Sequence, residues 1–389
     1  MMITDKFSIR EQNETLVLNT IIHHPAISRA AISQVTGLNK ASTSEIVKKL
    51  LDDSLVLETG AGNSTSSGGR KPILLELNKE AGCSLSIDLG YDYITSILTN
   101  LNGELIAEYK ETGRTINKET VVERIKEIVT KFEHHYSKRT FELIGITIAV
   151  HGIVHDNQIL FTPYSNLDDI DLTKELEELL HVPIFLENEA NLSALGEKAF
   201  TTMKQNIVSI SIHSGIGAGI LINGELYHGN RGQGGEIGHM IIQPFGIKCP
   251  CGNEGCMEQY CSELAVLESY RYQTNNPELG LKDLAAGYLN GEKLEVELVI
   301  KTASYLAVGL NNLIVHFDPE LVILNATLFE ELPFLLTLIQ EKMVSEFAKS
   351  VPLELSNIGK EATLLGGTVV NLQAFFHIPN LNFLQLNKH

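Results

Sequence analysis

The spacing of apolar residues divides the chain into a short helical segment and a longer region of alternating strands and helices. In the first predicted helix, Leu16, Ile21 and Ile22 lie on one apolar face. After this segment, compact apolar runs typical of buried strands alternate with helical stripes, which predicts layered α/β structure. We therefore expect a helix-rich domain over residues 1–78 and an α/β domain over residues 79–389.

The first domain contains the pattern of a helix-turn-helix. Helices are predicted at 28–35 and 39–51, and the turn between them contains Gly37. Ser28 and Asn39 are typical N-caps, because their side-chain oxygens can accept hydrogen bonds from the first backbone amides of a helix. Gly37 suits the left-handed residue that ends a helix. Two helices joined by a short glycine turn are the unit that places a recognition helix in DNA.

The second helix begins with small polar residues, which allow the N-terminus of a helix to enter a major groove and reach base edges. Strands predicted at 55–59 and 72–77 enclose a tip rich in Gly and Ser, which is typical of the wing in a winged helix-turn-helix. An Arg on such a tip can enter a narrow minor groove. The expected DNA contacts are Ser28, Arg29, Asn39, Lys40, Ser42, Thr43, Ser44, Arg70 and Lys71. The alternative is a surface hairpin on a helical protein–protein interaction module.

The charge distribution is compatible with DNA binding by the N-terminal domain alone. The formal net charge is −18, and residues 1–78 contain eight basic and eight acidic residues, so residues 79–389 carry the whole excess. Phosphate contacts need local positive charge, which makes the acidic region a poor partner for DNA. No apolar run approaches about 18 residues, and the N-terminus has no apolar signal region. We therefore expect a cytoplasmic protein without a membrane span.

A cysteine cluster predicts a structural zinc site. His239 is followed by Cys249, Cys251 and Cys256, and the Pro and Gly residues between the cysteines allow a tight loop. Three thiolates and one imidazole form a closed tetrahedral set with no open position, so we expect no zinc-dependent hydrolysis. The odd number of cysteines and the lack of a secretory signal favour metal ligation over disulfides. The alternative is three buried free cysteines with an unrelated histidine.

Acidic and amide side chains follow one of the predicted strands. The segment Glu187–Asn191 comes directly after an apolar run, and polar groups at the carboxyl end of a strand are well placed to bind a small ligand. Carboxylates and amides suit a sugar, because each sugar hydroxyl both donates and accepts hydrogen bonds. Glu236 and Glu258 flank the metal ligands, so a metal-fixed loop would hold both carboxylates rigidly. The alternative is helix capping by Asn188 and surface charge for the two glutamates. Phosphate binding or a tight hairpin explains the glycine-rich segment Gly215–Gly219 equally well.

These motifs, in this order and at this spacing, resemble the ROK family of sugar kinases and sugar-responsive repressors over residues 82–370. The matching motifs are Glu187–Asn191 with Gly196–Glu197, Gly235–Met240 and Cys249–Glu258. Together with the N-terminal helix-turn-helix, they resemble the repressor branch. The resemblance implies an α/β fold of the two-lobed, actin-like sugar-kinase type, with zinc held by His239, Cys249, Cys251 and Cys256. The sugar contacts that it implies are Asn188, Glu189, Glu236, His239 and Glu258, with His239 serving both metal and sugar.

Several positions differ from the kinases of the family, which carry an Asp-x-Gly-Gly-Thr-like phosphate loop. Here that stretch is Asp88–Tyr93, and the bulk of Tyr91 and the charge of Asp92 are expected to oppose ATP binding. Glu189 stands where the kinases have a catalytic Asp, and a base displaced by about 1 Å can lose on the order of 10²-fold in rate. His151-Gly152 replaces the Pro-Gly pair of the sugar loop.

These features together predict a transcriptional repressor that senses a monosaccharide and leaves its operator DNA when the sugar binds. The resemblance favours D-xylose as this sugar. A homodimer, or a dimer of such dimers, would place one recognition helix in each half of a palindromic operator. The alternative is an ATP-dependent sugar kinase with an appended DNA-binding domain, which the glycine segment at 215–219 favours and Tyr91 and Asp92 oppose. A zinc-stabilised scaffold for other proteins would leave the polar set unexplained.

Overall fold

The computed structural model describes residues 6–61, 71–163 and 165–384. The chain forms two compact units: unit 1 contains residues 1–188 and 364–389, and unit 2 contains residues 189–363. The N-terminal segment falls within unit 1 in this division. A separate domain boundary after residue 78 stays a prediction.

In the described part of the N-terminal segment, helices pack beside a small antiparallel sheet. Its elements are α1 (Lys6–His23), β1 (Ile27–Ser28), α2 (Arg29–Thr36), α3 (Lys40–Asp52), β2 (Val56–Ala61) and β3 (Ile73–Leu77). β3 lies between β1 and β2 and pairs antiparallel with both. The predicted helix pair and the two wing strands are confirmed. The tip between the strands, residues 62–70, lies outside the described residues.

Both predicted helix caps are present. Ser28 Oγ accepts a hydrogen bond from the Ala31 amide at 3.3 Å, and Asn39 Oδ1 accepts one from the Ser42 amide at 2.9 Å. Gly37 ends α2 with a φ of 72°, in the left-handed region that glycine enters without strain. The turn between α2 and α3 is therefore specified by local sequence.

The core of this segment joins the three helices. Val17 and Ile21 of α1 are buried with Ile32 of α2 and Val47 of α3, each at most 1% exposed. Of the predicted apolar face of α1, Ile21 and Ile22 are buried, but Leu16 is 40% exposed and Val17 lies in the core instead. One residue is a rotation of about 100° on a helix, so the packing partners decide which neighbour is buried.

The rest of unit 1 is built around a five-stranded sheet. Its elements are β4 (Cys83–Leu89), β5 (Tyr93–Asn100), β6 (Leu105–Thr112), α4 (Val121–Tyr136), β7 (Leu143–Val150), β8 (Ile153–His155), β9 (Gln158–Phe161), α5 (Leu172–Leu180) and β10 (Ile184–Asn188). The strand order is β10-β7-β4-β5-β6. β10, β7 and β4 run parallel, whereas β5 and β6 pair antiparallel with their neighbours. β8 and β9 form a separate hairpin.

The three parallel strands end at the same edge of this sheet. In the register, Leu89 of β4 lies opposite Val150 of β7, and Val150 lies opposite Asn188 of β10. The residues that follow β4 and β7 therefore emerge beside Asn188. The carboxyl edge of parallel strands is where open α/β sheets place small ligands.

Unit 2 contains a second five-stranded sheet covered by helices. Its elements are α6 (Glu189–Phe200), β11 (Ile207–Ile212), β12 (Ile216–Ile222), β13 (Glu225–Leu226), α7 (Glu258–Cys261), α8 (Glu263–Thr274), α9 (Leu281–Leu289), α10 (Lys293–Phe317), β14 (Leu321–Asn325), α11 (Thr327–Glu331), α12 (Leu335–Lys342), α13 (Glu346–Lys349) and β15 (Leu353–Leu355). The strand order is β13-β12-β11-β14-β15, in which β12 is antiparallel to β11 and β14 is parallel to both β11 and β15. A last helix, α14 (Ala362–Phe376), begins in unit 2 and continues into unit 1.

Helix α10 is the central helix of the unit 2 core. Leu306, Leu310 and Leu313 along it are each at most 2% exposed. Among the helices of the described residues, α10 alone has the length and apolar composition that a membrane crossing would need. Because 56% of its most apolar stretch is buried inside the protein, its apolar composition is explained by core packing.

Between β13 and α7 the chain forms a largely irregular loop, residues 227–257, which we name the metal knuckle. It contains one short 3-10 turn at Ile237–His239 and isolated bridges that pair Ile241 with Cys256 and Lys248 with Glu254. Backbone hydrogen bonds cross the loop, among them those from the Ile242 amide to the Gly255 carbonyl at 2.9 Å and from the Cys249 amide to the Asn253 carbonyl at 2.8 Å, so turns rather than helices or strands set its shape.

Candidate functional site

The N-terminus of α3 presents predicted DNA contacts at the surface. Asn39, Lys40 and Ser44 are exposed there, within less than two turns of helix. Lys71, which follows the hairpin tip, is also exposed. Its neighbour Arg70 lies outside the described residues. The exposed end of α3 therefore combines exposed polar side chains with the amide end of a helix, which attracts phosphate.

Other predicted DNA contacts are engaged within the segment. Thr43 is fully buried, and its Oγ1 donates to the carbonyl of Asn39 at 3.0 Å, so this side chain packs inward. Ser42 is half-buried, and its amide is the one that Asn39 caps. Arg29 Nη2 donates to Glu58 Oε1 at 2.9 Å, so this cation is paired with a carboxylate. Ser28 serves as the cap of α2.

The four predicted metal ligands lie together in unit 2. The ligand atoms of His239, Cys249, Cys251 and Cys256 are all within 4.8 Å of one another. Cys251 Sγ and Cys256 Sγ are 3.6 Å apart, and His239 Nδ1 lies 3.5 Å from Cys249 Sγ. A tetrahedral zinc ion with ordinary bond lengths would separate two sulfurs by about 3.8 Å, and a sulfur and a nitrogen by about 3.6 Å. The set therefore fits a tetrahedral metal ion. Cys83 and Cys261, the two cysteines outside this set, are fully buried.

His239 connects the metal ligands to two carboxylates. Its Nδ1 faces Cys249 and lies 3.5 Å from Glu258 Oε1, while its Nε2 lies 3.9 Å from Glu236 Oε2. Glu258 Oε1 also accepts a hydrogen bond from Cys249 Sγ at 3.2 Å. The structure thus brings together three of the predicted sugar contacts, Glu236, His239 and Glu258, beside the candidate metal ligands. A metal bound at Nδ1 would leave the Nε2 edge of the ring directed at Glu236.

Two glycines make room for the Glu258 carboxylate. A Cβ atom at Gly215 would lie 3.4 Å from Glu258 Oε2, and one at Gly238 would lie 3.3 Å from the same oxygen. At Gly238 the Cβ would also meet the carbonyl oxygen of Ile216 at 2.3 Å, which no side chain can tolerate. The knuckle therefore packs directly on the start of β12, and this close approach fixes the carboxylate position.

Local electrostatics differ within the cluster. Burial raises the pKa of the Glu236 carboxyl, the nearby imidazole of His239 lowers it, and the Glu258 carboxylate raises it. A carboxyl that is easier to protonate can donate as well as accept a hydrogen bond toward a hydroxyl. The backbone amide of Asn253 lowers the pKa of the Cys251 thiol, whereas burial raises the pKa of the Cys249 and Cys256 thiols.

The other two predicted sugar contacts lie where the chain passes from unit 1 to unit 2. Asn188 is the last residue of β10, and its Nδ2 donates to the carbonyl of Gly152 at 2.9 Å. Glu189 begins α6, and its carbonyl accepts a hydrogen bond from Thr363 Oγ1 at 3.4 Å. Asn188 thus belongs to the carboxyl edge of the unit 1 sheet, as expected for a polar residue after a buried strand.

The turn that matches the kinase phosphate loop is filled by a residue that sequence analysis did not single out. Tyr91, which was expected to obstruct this turn, is 52% exposed. The ring of Tyr93 lies on the turn instead, because a Cβ at Gly90 would meet it at 2.0 Å. Tyr93 also donates to Asp88 Oδ2 at 3.1 Å. The direction of side chains in a tight turn depends on its geometry, so the sequence could not tell which tyrosine faces inward.

The glycine-rich segment 215–219 forms a hairpin, one of its two expected explanations. β11 and β12 pair antiparallel, and the turn closes with a hydrogen bond from the His213 amide to the Gly215 carbonyl at 2.9 Å. A Cβ at Gly219 would lie 2.4 Å from the carbonyl of Ala190 and 2.5 Å from the Cβ of Ala194. This glycine therefore allows α6 to pack closely on the sheet.

Comparison with known proteins agrees with this architecture. The family model described as "ROK family" matches residues 84–373. A protein named "Xylose repressor" from Bacillus spizizenii is 39% identical over 98% of this chain and 100% of its own length. A crystal structure titled as a ROK family transcriptional regulator, a homolog of the E. coli MLC protein, is 29% identical, with a TM-score of 0.80 over 97% of this chain and 98% of that chain.

A ROK hexokinase from Thermus thermophilus gives a shorter match. It is 26% identical, with a TM-score of 0.64, and covers 74% of this chain and 97% of its own. The likeness to both structures confirms the predicted fold class, a ROK sugar-kinase fold combined with an N-terminal helix-turn-helix. On the extent of the family match and of the 39% identity, this chain belongs to the ROK family.

Proposed function

We propose that this chain is a cytoplasmic transcriptional repressor that binds operator DNA through its N-terminal segment and is released by a monosaccharide, D-xylose. The observation that carries the proposal is the extent of the likeness to proteins named as xylose repressors. One matches 98% of this chain at 39% identity and so includes the helix pair. The ROK hexokinase matches 74%.

The exposed end of α3 supports the DNA-binding part of the proposal. Asn39, Lys40 and Ser44 would meet base edges and phosphates in a major groove, and Lys71 with Arg70 would follow the adjacent backbone. Thr43 would act through the fold of α3, since it is buried. A homodimer or a dimer of dimers would present these helices in pairs to a palindromic operator.

The chemistry of the polar set supports a sugar ligand. Asn188, Glu189, Glu236, His239 and Glu258 offer amide, carboxylate and imidazole groups, and these pair with hydroxyls that both donate and accept. In unit 2, His239 lies between Glu236 and Glu258 at 3.9 and 3.5 Å, so one sugar could contact all three.

A structural zinc completes this proposal. His239, Cys249, Cys251 and Cys256 would hold the ion, whose role is to crosslink the metal knuckle. The ligand set is closed, so the protein side chains alone meet the sugar. The Nδ1 of His239 would be committed to the metal set, which fixes the ring so that its Nε2 edge faces Glu236.

A gel-shift titration of the full chain on its upstream promoter DNA, with and without D-xylose, tests the proposal. We expect tight binding without sugar and release at saturating sugar. To reverse a 99:1 preference, the sugar must bind the DNA-incompetent state about 10⁴-fold more tightly. Unchanged DNA affinity at saturating D-xylose would end the inducer assignment. A coupled ADP-release assay separates the kinase alternative, which would turn over at about 1–100 s⁻¹.

A further inference from the structure

A hydrogen-bonded triangle of side chains lies at the carboxyl edge of the unit 1 sheet. His151 Nε2 lies 2.8 Å from Asp88 Oδ1, and Tyr93 OH lies 3.1 Å from both Asp88 Oδ2 and His151 Nε2. The Tyr93 and His151 rings also meet edge to face, with centroids 6.1 Å apart. A carboxylate only accepts hydrogen bonds, so His151 Nε2 carries the proton in this arrangement. The imidazole is thus held in one orientation and one tautomer.

The backbone on both sides of the triangle is held rigidly. A Cβ at Gly152 would meet the carbonyl oxygen of Phe161 at 2.1 Å, so the β8–β9 hairpin packs directly on the residue after His151. On the other side, the ring of Tyr93 rests on Gly90, and the Gly90 amide donates to the Tyr93 carbonyl at 3.0 Å. A polar group supported in this way loses little conformational entropy when a ligand binds.

The triangle adjoins a residue of the proposed sugar set. The side-chain Nδ2 of Asn188 donates to the carbonyl of Gly152 at 2.9 Å, so Asn188 is hydrogen-bonded directly to the residue that follows His151. Asp88 and His151 lie at the ends of β4 and β7, the strands that end level with Asn188. The His151 side chain is 38% exposed, whereas that of Asp88 is 17% exposed. Of this pair, the imidazole is therefore the more accessible to a ligand and the carboxylate the more buried.

We propose that His151 is a specificity-determining residue that hydrogen-bonds one hydroxyl of the sugar, and that Asp88 and Tyr93 are positioning residues for its imidazole. The inference rests on the proposed function and deepens it, because it names the group that distinguishes an aldopentose from its analogues. It also gives Tyr93 a role. Its ring packs on the turn at Gly90, and its hydroxyl orients the His151 imidazole that contacts the sugar.

Calorimetric titration of the full chain with D-xylose, and with analogues that each lack one hydroxyl, tests this assignment. We expect the wild type to discriminate against one analogue by about tenfold or more, the range of a hydrogen bond to a polar or charged partner. In His151→Ala, D-xylose affinity falls by the same factor and discrimination against that analogue disappears. A structural defect would instead weaken all ligands alike.

Tyr93→Phe is the second variant, because it keeps the ring on Gly90 and removes only the hydroxyl. We expect the ratio of the affinity for D-xylose to the affinity for the analogue lacking that hydroxyl to fall a few-fold. D-xylose should bind more weakly, while the analogue should bind as it does to the wild type. Its matched control is Tyr109→Phe, which removes a tyrosine hydroxyl that donates to Glu111 at 3.0 Å on β6. The control should retain the full wild-type discrimination.

The outcomes separate the two proposals. If the wild type binds D-xylose and both His151→Ala and Tyr93→Phe keep the wild-type pattern of discrimination, the role of His151 is overturned while the sugar-sensing function stands. If the wild type binds neither D-xylose nor any analogue, both proposals are overturned. If His151→Ala does not fold, Tyr93→Phe alone tests the proposed role of His151, since the phenylalanine ring fills the same space as the tyrosine ring.

Discussion

The helix pair α2–α3 and the metal knuckle both present polar side chains to an expected ligand, but they are made rigid by different means. In the helix pair, Ser28, Gly37 and Asn39 set the helix ends, and a core around Ile32 and Val47 holds the helices together. Each of these features acts over a few residues of sequence, so the local pattern specifies the exposed surface.

In the knuckle, Ile237 and Met257 are buried in the unit 2 core, but residues 241–248 contribute no buried side chain. Residues 241, 245 and 247 are apolar yet exposed, with Phe245 at 95%. Its shape depends on four side chains that converge from positions 239–256 and on close backbone contacts at Gly238 and Gly255. The comparison indicates that tight backbone contacts and converging side chains can hold a loop whose middle has no core, so we expect its shape to depend on each of the four converging residues.

The largest effect should come from breaking the metal set. Cys251→Ser removes the exposed ligand, and we expect metal content to fall from about one ion per chain to near zero and sugar affinity to fall more than about 100-fold. DNA binding without sugar should persist, because the helix pair has its own core. Metal analysis, calorimetry and gel shift measure the three results. Cys83→Ala, in the core of β4, is the control and should keep its metal. If metal-free Cys251→Ser bound the sugar as tightly as the wild type, the metal ligands would not be needed to hold the sugar contacts in place.

A smaller effect should follow from filling the space at Gly238. In Gly238→Ala the new methyl would meet the Ile216 carbonyl at 2.3 Å, so the knuckle must move away from β12. We expect a loss of about 1–3 kcal/mol in the free energy of unfolding, together with weaker sugar binding. Denaturant unfolding measures the first quantity. The control is Gly280→Ala in the same unit, where the atom nearest to the new methyl group would be 3.8 Å away. If both variants lost the same free energy of unfolding, the clash with Ile216 would not explain the loss in Gly238→Ala.

In the helix pair, the removal of a single positive charge should weaken DNA binding moderately. Lys40→Ala removes one exposed positive charge at the start of α3, so operator affinity should fall without any change in sugar affinity. If Lys40 contacts a phosphate, the slope of log affinity against log salt should decrease by about one. Lys110→Ala removes an exposed lysine from β6 and should leave the slope unchanged. A slope identical to that of the wild type in Lys40→Ala would exclude this contact.

The smallest effect concerns a buried carboxyl away from both sites. Burial raises the pKa of Glu197, although hydrogen bonds from Ser356 and Thr201 oppose this shift. A glutamate whose pKa is raised in the folded state stabilises the fold at low pH, and this stability is lost as the pH rises through the folded-state pKa. Stability of Glu197→Gln relative to wild type should therefore increase as the pH rises above the ordinary glutamate pKa of about 4.3. Denaturant unfolding at several pH values would reveal this trend, and a difference that does not change with pH would contradict it.

Much of the site could be predicted because its signals are local. The spacing of His239, Cys249, Cys251 and Cys256 is enough to suggest a closed tetrahedral set, and their ligand atoms do converge. The N-cap oxygens of Ser28 and Asn39 act on amides three residues away, so their roles were also readable. For Gly215–Gly219, the sequence allowed both a hairpin and a phosphate-binding loop. It could not distinguish them, because the close packing of α6 on β12 that explains Gly219 is a tertiary contact.

The sequence by itself determined the helix-turn-helix, the alternation of strands and helices, and the candidate metal-binding cluster of one histidine and three cysteines, because each depends on periodicity or on neighbours within a short stretch. Only the tertiary structure decided that Thr43 faces inward, that Tyr93 rather than Tyr91 lies on Gly90, and that His151 is bonded to Asp88. Those three outcomes depend on side-chain direction in a turn or on contacts between residues far apart in the chain. Such contacts arise from the register of β4 against β7 and from packing partners, which no local pattern encodes.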